Sequence, residues 1–177
     1  MRPEESQAQN NTVNIFVDLD ETLIHTNLST DIENEVPQVK VNISARPRKQ
    51  EIYPVSLRPG ANDLLFALRG LGNVFMLTRA THDYAVAMNK AFNLAFAVNR
   101  IYSRRDVENY RYKELHIPKG KNFLIDDLPD RDNYEKIALL QQLGPVRYIR
   151  ILPFYGYKDE ALTPGMIADI ANTIREE

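Results

Sequence analysis

The stretch from Val13 to Thr26 constrains the fold of this chain more than any other, because a short apolar run ends abruptly in two carboxylates, Asp18 and Asp20, one residue apart. Val13, Ile15, Phe16 and Val17 are β-branched or aromatic, as in a buried strand of a parallel sheet. Acidic residues are depleted within strands, so Asp18-Leu-Asp20-Glu21 marks the carboxyl end, where open α/β sheets place their ligands. Alternation along an extended backbone turns Asp18 and Asp20 the same way and sends Leu19 into the core. Two like charges that close require an offset, either a divalent cation or a proton held by one of them. Taken alone, the pair is better explained as an acidic turn in which Asp20 or Thr22 caps a helix. The rest of the chain has to decide.

Composition removes several alternatives. The 177 residues are 44% hydrophobic and 26% charged, which fits one globular domain with a real core. A net charge of -2 argues against wholesale binding to nucleic acid or to an anionic membrane. There is no cysteine, which excludes disulfides, thiolate metal sites and cysteine-nucleophile phosphatases, and suits a cytoplasmic location. No apolar run reaches the ~20 residues of a membrane span, and residues 1–11 read as a polar, disordered lead-in to a single domain over 12–177.

After the acidic strand end, 28–37 reads as a flap. Residues 38–44 and 51–57 then alternate as a β-hairpin insert, with Pro54 demoting its second strand to an edge. Arg58-Pro-Gly60 punctuates, and Asn62 or Asp63 is placed to cap a helix running to Arg69. Strands are expected at 74–77, 97–102, 122–125 and 146–151. Helices are expected from His82 to about Phe92, from Glu135 to Leu143, and after Thr163-Pro164. A strand–helix alternation of this kind predicts a doubly wound parallel sheet between two helical layers, an α/β fold. Residues 100–113 hold five basic against two acidic side chains.

Two strands about a hundred residues apart end in carboxylates: Asp18 and Asp20 on one, Asp126 and Asp127 on the other. The strand at 74–77 ends in Thr78-Arg79. Oxygen ligands from these four aspartates suit Mg²⁺, and Thr78, Arg79 and a lysine suit the oxygens of a phosphoryl group. No glycine-rich phosphate loop is present, so an ATP-driven kinase is poorly supported.

These residues carry a resemblance. Asp18-Leu-Asp20-Glu-Thr22, Met76-Leu-Thr78-Arg79 and Leu-Ile-Asp126-Asp127-Leu-Pro resemble motifs of the haloacid dehalogenase superfamily. Leu-Arg58-Pro-Gly60 and Tyr112-Lys113-Glu-Leu resemble its small phosphatases of the RNA polymerase II C-terminal-domain type. The resemblance implies Asp18 as nucleophile and Asp20 as general acid and base. It implies Thr78 and Lys113 on the phosphoryl group, and Thr22 supporting the loop. Mg²⁺ is then expected on Asp18, the Asp20 backbone carbonyl and one of Asp126 and Asp127. Lys119 and Lys121 read instead as a solvated turn, and Arg79 as either a substrate contact or an ion pair. His25 reads as a loop-fixing residue, and His82 and His116 as solvated positions.

The expected function is a Mg²⁺-dependent phosphomonoester hydrolase working through an aspartyl-phosphate, with a phosphoserine or phosphothreonine protein or phosphopeptide as substrate. The alternatives are a nucleotide or polynucleotide-end phosphatase, for which nucleic acid would be the partner, and a non-catalytic module that binds phospho-ligands. No membrane partner is expected.

Overall fold

The computed structural model describes residues 12–29, 34–108 and 115–177. Its centre is a five-stranded, wholly parallel sheet in the order β6-β5-β1-β7-β8. The strands are β1 (Val13–Val17), β5 (Asn73–Leu77), β6 (Ile101–Tyr102), β7 (Lys121–Asp126) and β8 (Val146–Arg150). β1 occupies the middle because its residues are apolar on both faces. Ile15 and Val17 join one core with helices α1 (Ala61–Arg69), α2 (His82–Ala91) and α5 (Pro164–Arg175). Phe16 joins the other, with α3 (Arg104–Glu108) and α4 (Tyr134–Gln141), and stacks on Phe75 at 5.1 Å between ring centroids. Helices on both faces make the expected three layers. From β1 the chain winds outward through β5 and β6, then returns to β7 on the other side of β1. The direction of winding therefore reverses beside the carboxyl end of β1, the position at which such sheets bind ligands.

One polar row crosses the core. Asn14, buried in β1, lies in register with Asn73 and Asn122 on the flanking strands. Its amide donates to Asn122 Oδ1 at 3.1 Å and to the Pro118 carbonyl at 2.7 Å. The row satisfies buried amides and pins the relative register of the three strands.

The insert differs from a hairpin. It is a three-stranded antiparallel sheet in the order β2-β4-β3, formed by Ile24–Thr26, Ile52–Leu57 and Gln38–Asn42 respectively. Residues 24–26, which by sequence belong to the acidic motif, pair with 55–57 and make β4 central. Pro54 therefore lies in a central strand, not an edge. The placement is tolerated because β2 ends opposite Val55. Beyond it the Asn27 N–H donates to the Pro54 carbonyl at 2.9 Å, so the backbone of Pro54 faces the end of β2 and its missing donor leaves out one bond of a single terminal pair.

Two boundaries also shift. The residue preceding α1 is Gly60, at φ 85°, so Asn62 and Asp63 lie within its first turn instead of capping it. A Cβ at Gly60 would sit 2.2 Å from the Leu162 carbonyl oxygen, which is why the turn needs glycine. β6 is only two residues long because Val98–Arg100 form a 3₁₀ turn. Thr163 caps α5 as expected, its hydroxyl accepting from Met166 N–H at 3.3 Å. No helix among the described residues is long and apolar enough to cross a membrane.

Candidate active site

The carboxyl ends of β1, β5 and β7 deliver their side chains to one place. Asp18 follows β1 directly, and its N–H donates to the Ile125 carbonyl of β7 at 3.0 Å, so the ladder is maintained up to Asp18 itself. Asp126 ends β7, Asp127 follows it, and one carboxylate oxygen from each of Asp18, Asp126 and Asp127 lies within 4.8 Å of the others. All three are buried. Thr22 is fully buried between them; its hydroxyl donates to Asp127 Oδ1 at 3.0 Å and lies 3.5 Å from Asp18 Oδ2.

The loop that returns Thr22 to this point is tight. Glu21 adopts φ 58°, Leu23 and Ile24 N–H both reach the Leu19 carbonyl, and Phe154 N–H donates to the Glu21 carbonyl at 2.7 Å. Arg58 fastens the loop from beneath. Although almost wholly buried, its guanidinium donates to the carbonyls of Thr22 (3.3 Å), Leu152 (2.8 Å) and Glu160 (2.7 Å) and lies over the Phe154 ring. A delocalised cation with several donors suits such a junction, because its charge can be spread over backbone oxygens.

The cation that faces the carboxylates is Lys136, on α4. It is 1% exposed, and its ammonium donates to Asp18 Oδ1 and Asp126 Oδ2, each at 2.7 Å. Sequence reasoning does not select this residue. A signal exists nonetheless: Lys136, Leu139 and Leu140 share the buried face of α4 at i, i+3 and i+4, so the helix places a lysine on its apolar stripe. The lysine expected at the phosphoryl group, Lys113, lies outside the described residues. Lys119 and Lys121 are both exposed; Lys119 lies in the expected turn, whereas Lys121 opens β7 and pairs with Val13.

Burial sets the electrostatics. It raises the Asp18 carboxyl to about 7, against the lowering pull of Lys136. Burial disfavours the charge on Lys136 as well, but Asp18 and Asp126 outweigh it and hold the ammonium charged. Asp127 is raised by burial, with the Thr22 hydrogen bond acting against the rise. Both oxygens of Asp126 are engaged, Oδ2 by Lys136 and Oδ1 by the Leu128 N–H at 3.0 Å, whereas Asp127 receives Thr22 on Oδ1.

Asp20 stands apart from this cluster, at the mouth of an adjoining cleft of about 510 Å³. Its Oδ1 accepts from the Tyr84 hydroxyl at 2.5 Å, and burial raises its carboxyl above the ordinary range. The cleft is lined by Leu28, Ile43 and Tyr53 on the insert side and by Arg79 and Arg104 on the other. Arg79 donates to the Asp132 carbonyl at 2.7 Å and pairs with Glu135 at 3.3 Å, so the ion-pair alternative is realised while the side chain still borders the cleft. Thr78 is buried and its oxygen accepts from Ala80 N–H at 3.0 Å, which leaves the hydroxyl proton available to a ligand. His25 lies 3.4 Å from Glu21 and edge-on to Phe154 and Tyr155, a packing role as expected. His116 is exposed as expected, whereas His82, which opens α2, is half-buried and not solvated.

A parallel α/β/α sheet with its acidic tips gathered at the winding reversal, an antiparallel insert directly after the first strand, and an Asp-x-Asp-x-Thr loop define a domain of the haloacid dehalogenase fold. The model of the NLI interacting factor-like phosphatases matches residues 13–166, and the chain belongs to that family of phosphatases. It is 26% identical over 158 residues to an RNA polymerase II C-terminal domain phosphatase of Caenorhabditis elegans, a match covering 83% of this chain and 23% of that protein. The chain thus spans about a quarter of the length of that relative. Two solved structures share the fold. One is the fission yeast RNA polymerase II CTD phosphatase Fcp1, an arginine-to-alanine variant bound to beryllium fluoride, with TM-score 0.52, 17% identity, and 81% of this chain and 42% of that chain covered. The other is Fcp1 described as an essential RNA polymerase II CTD phosphatase, with TM-score 0.51, 16% identity, and 95% and 50% covered.

Proposed function

We propose that this protein is a Mg²⁺-dependent phosphomonoesterase that acts through an aspartyl-phosphate on Asp18, with phosphoserine or phosphothreonine in protein as its substrate. The observation that carries the proposal is the convergence of Asp18, Asp126 and Asp127 beside Thr78 at the strand tips, with one lysine ammonium between two of the carboxylates. A carboxylate set of this kind fits a hard divalent cation. Asp18, the Asp20 carbonyl and Asp127 are the groups proposed to hold it, with Asp126 kept behind them by Lys136 and the Leu128 N–H. When bound, Mg²⁺ supplies positive charge to the phosphoryl oxygens and offsets the crowded carboxylates.

In the first step an Asp18 oxygen attacks phosphorus in line. The bond to the leaving oxygen breaks, and Asp20 gives that oxygen a proton. In the second, water attacks the same phosphorus, Asp20 takes its proton, and inorganic phosphate leaves Asp18 free. Thr78 donates to a phosphoryl oxygen, and Thr22 keeps Asp18 and Asp127 in place. Lys136 keeps the site electrically balanced beside the attacking carboxylate, and Lys113 is proposed as a second lysine on the phosphoryl group. Support for a protein substrate comes from the names of the relatives and from the open cleft beside Asp20, whose mixed apolar and guanidinium walls suit a peptide.

The test is hydrolysis of p-nitrophenyl phosphate and of phosphoserine peptides with Mg²⁺ and with EDTA. Asp18→Asn is expected to retain the fold and lose turnover. Metal-dependent hydrolysis persisting in that variant would overturn the assignment of the nucleophile.

A further inference from the structure

The general acid proposed above is a carboxylate at the edge of a cleft, and something must decide which of its two oxygens carries the transferable proton. The only side-chain hydrogen bond to Asp20 among the described residues comes from Tyr84, whose hydroxyl lies 2.5 Å from Asp20 Oδ1 and 2.6 Å from Thr26 Oγ1. Thr26 belongs to β2 of the insert, Tyr84 to the first turn of α2, and Asp20 to the loop after β1. The chain of hydroxyls thus joins three separate elements at one carboxyl oxygen. A phenol has one proton, so when Tyr84 donates to Asp20 its oxygen is left to accept from the Thr26 hydroxyl.

We propose that Tyr84, held by Thr26, is a positioning residue that occupies Asp20 Oδ1 and so leaves Oδ2 as the oxygen that passes a proton to the leaving group. The proposal rests on the phosphatase reading above. Its physical reason is that a proton resting on Oδ1 would face the protein, where it can do no work on the ester. With Tyr84 donating to Oδ1 and its own oxygen accepting from Thr26, a proton on Oδ1 would require both hydroxyls to turn round, whereas a proton on Oδ2 requires no rearrangement. Holding the carboxyl from α2 and β2 also limits its rotation, which general acid catalysis needs because the proton must move within hydrogen-bond reach. Tyr84 and Thr26 both line the cleft next to Asp20, so the device borders the face from which the leaving alcohol would contact the acid.

The experiment compares kcat/KM, which reports the steps up to phosphoryl transfer onto Asp18, across esters that differ in their need for a proton. With p-nitrophenyl phosphate the departing phenolate is stable unprotonated. With phenyl phosphate, and still more with a phosphoserine peptide, departure requires the acid. Tyr84→Phe is expected to lower kcat/KM for the phosphoserine peptide by about tenfold or more, a share of the 10²–10⁴ that general acids contribute. For p-nitrophenyl phosphate the loss should be under about threefold on the same reasoning. Thr26→Val, which keeps the phenol but removes its partner, should give the same ordering with a smaller loss, and carries the test if the tyrosine variant does not fold.

An equal loss across the three esters, no loss at all, or a rise in KM with kcat unchanged would each overturn the positioning role. Wild-type protein inert toward all three esters would overturn the phosphatase reading itself, an outcome distinct from these.

Discussion

Lys136 is the residue whose environment departs most from what its type prefers, a primary ammonium 1% exposed and bonded to two carboxylates. Removing one partner of a buried charge set leaves the others uncompensated. Lys136→Met is therefore expected to destabilise the metal-free protein by on the order of 3–5 kcal/mol, read as a lower urea midpoint at unchanged m-value, and to abolish hydrolysis. Lys113→Met is expected to reduce hydrolysis of the phosphoserine peptide if that lysine binds the phosphoryl group as proposed, read as kcat/KM. The same crowding has a pH signature. Glu21 is raised to about 8 and Asp18 to about 7, both chiefly by burial, so the native state keeps protons that the unfolded chain has already released. The associated stability is present at low pH and is lost as pH rises through those values. His25, lowered by burial from 6.5, acts in the opposite sense only below that value. In EDTA the melting temperature is expected to fall between about pH 6.5 and 8, and Glu21→Gln should flatten that slope; a melting temperature that rises across the window would contradict it.

At the scale of elements, the site depends on loops held by their neighbours. The turn before α1 carries both Arg58, which grips the Thr22 loop and the segment after β8, and Gly60, which the Leu162 carbonyl approaches closely. Gly60→Ala must place a Cβ on that carbonyl while keeping a left-handed backbone. The left-handed conformation alone costs about 1–2 kcal/mol, so thermal unfolding should show at least that loss, with a smaller Mg²⁺ response because the Thr22 loop shifts with the turn. The insert obeys the same dependence on neighbours. Pro54 suggests an edge strand because a proline cannot donate, yet β4 is central; pairing ends at Val55 on one side, and that depends on where β2 stops.

For the molecule as a whole, the carboxylate cluster is a stability cost that the proposed cation would relieve. Anything that binds only the native state stabilises it by mass action, about 2.7 kcal/mol at a hundred times Kd. Mg²⁺ is thus expected to raise the melting temperature in a concentration-dependent way, and EDTA to reverse it. Asp127→Asn should blunt the response more than Asp126→Asn does if Asp127 is the ligand. The winding of the sheet explains why these acids meet: β1 and β7 are adjacent and parallel, so tips a hundred residues apart in sequence share one end.

Much of this is legible from the chain alone. Strand identity follows from β-branched and aromatic runs, helix α5 from Thr163-Pro164, and the candidate acids and Thr78 from their positions just past apolar strands, because a residue at a strand tip is placed by local periodicity. Lys136 and Tyr84 are not. A lysine on a helix and a tyrosine among apolar neighbours look like surface and core, and only the packing of α4 and α2 against the sheet brings their polar ends onto Asp18 and Asp20. Short-range spacing determines which residues end elements. Which polar side chain reaches Asp18 or Asp20 is decided by how separate elements pack, through contacts more than sixty residues apart that no local pattern encodes.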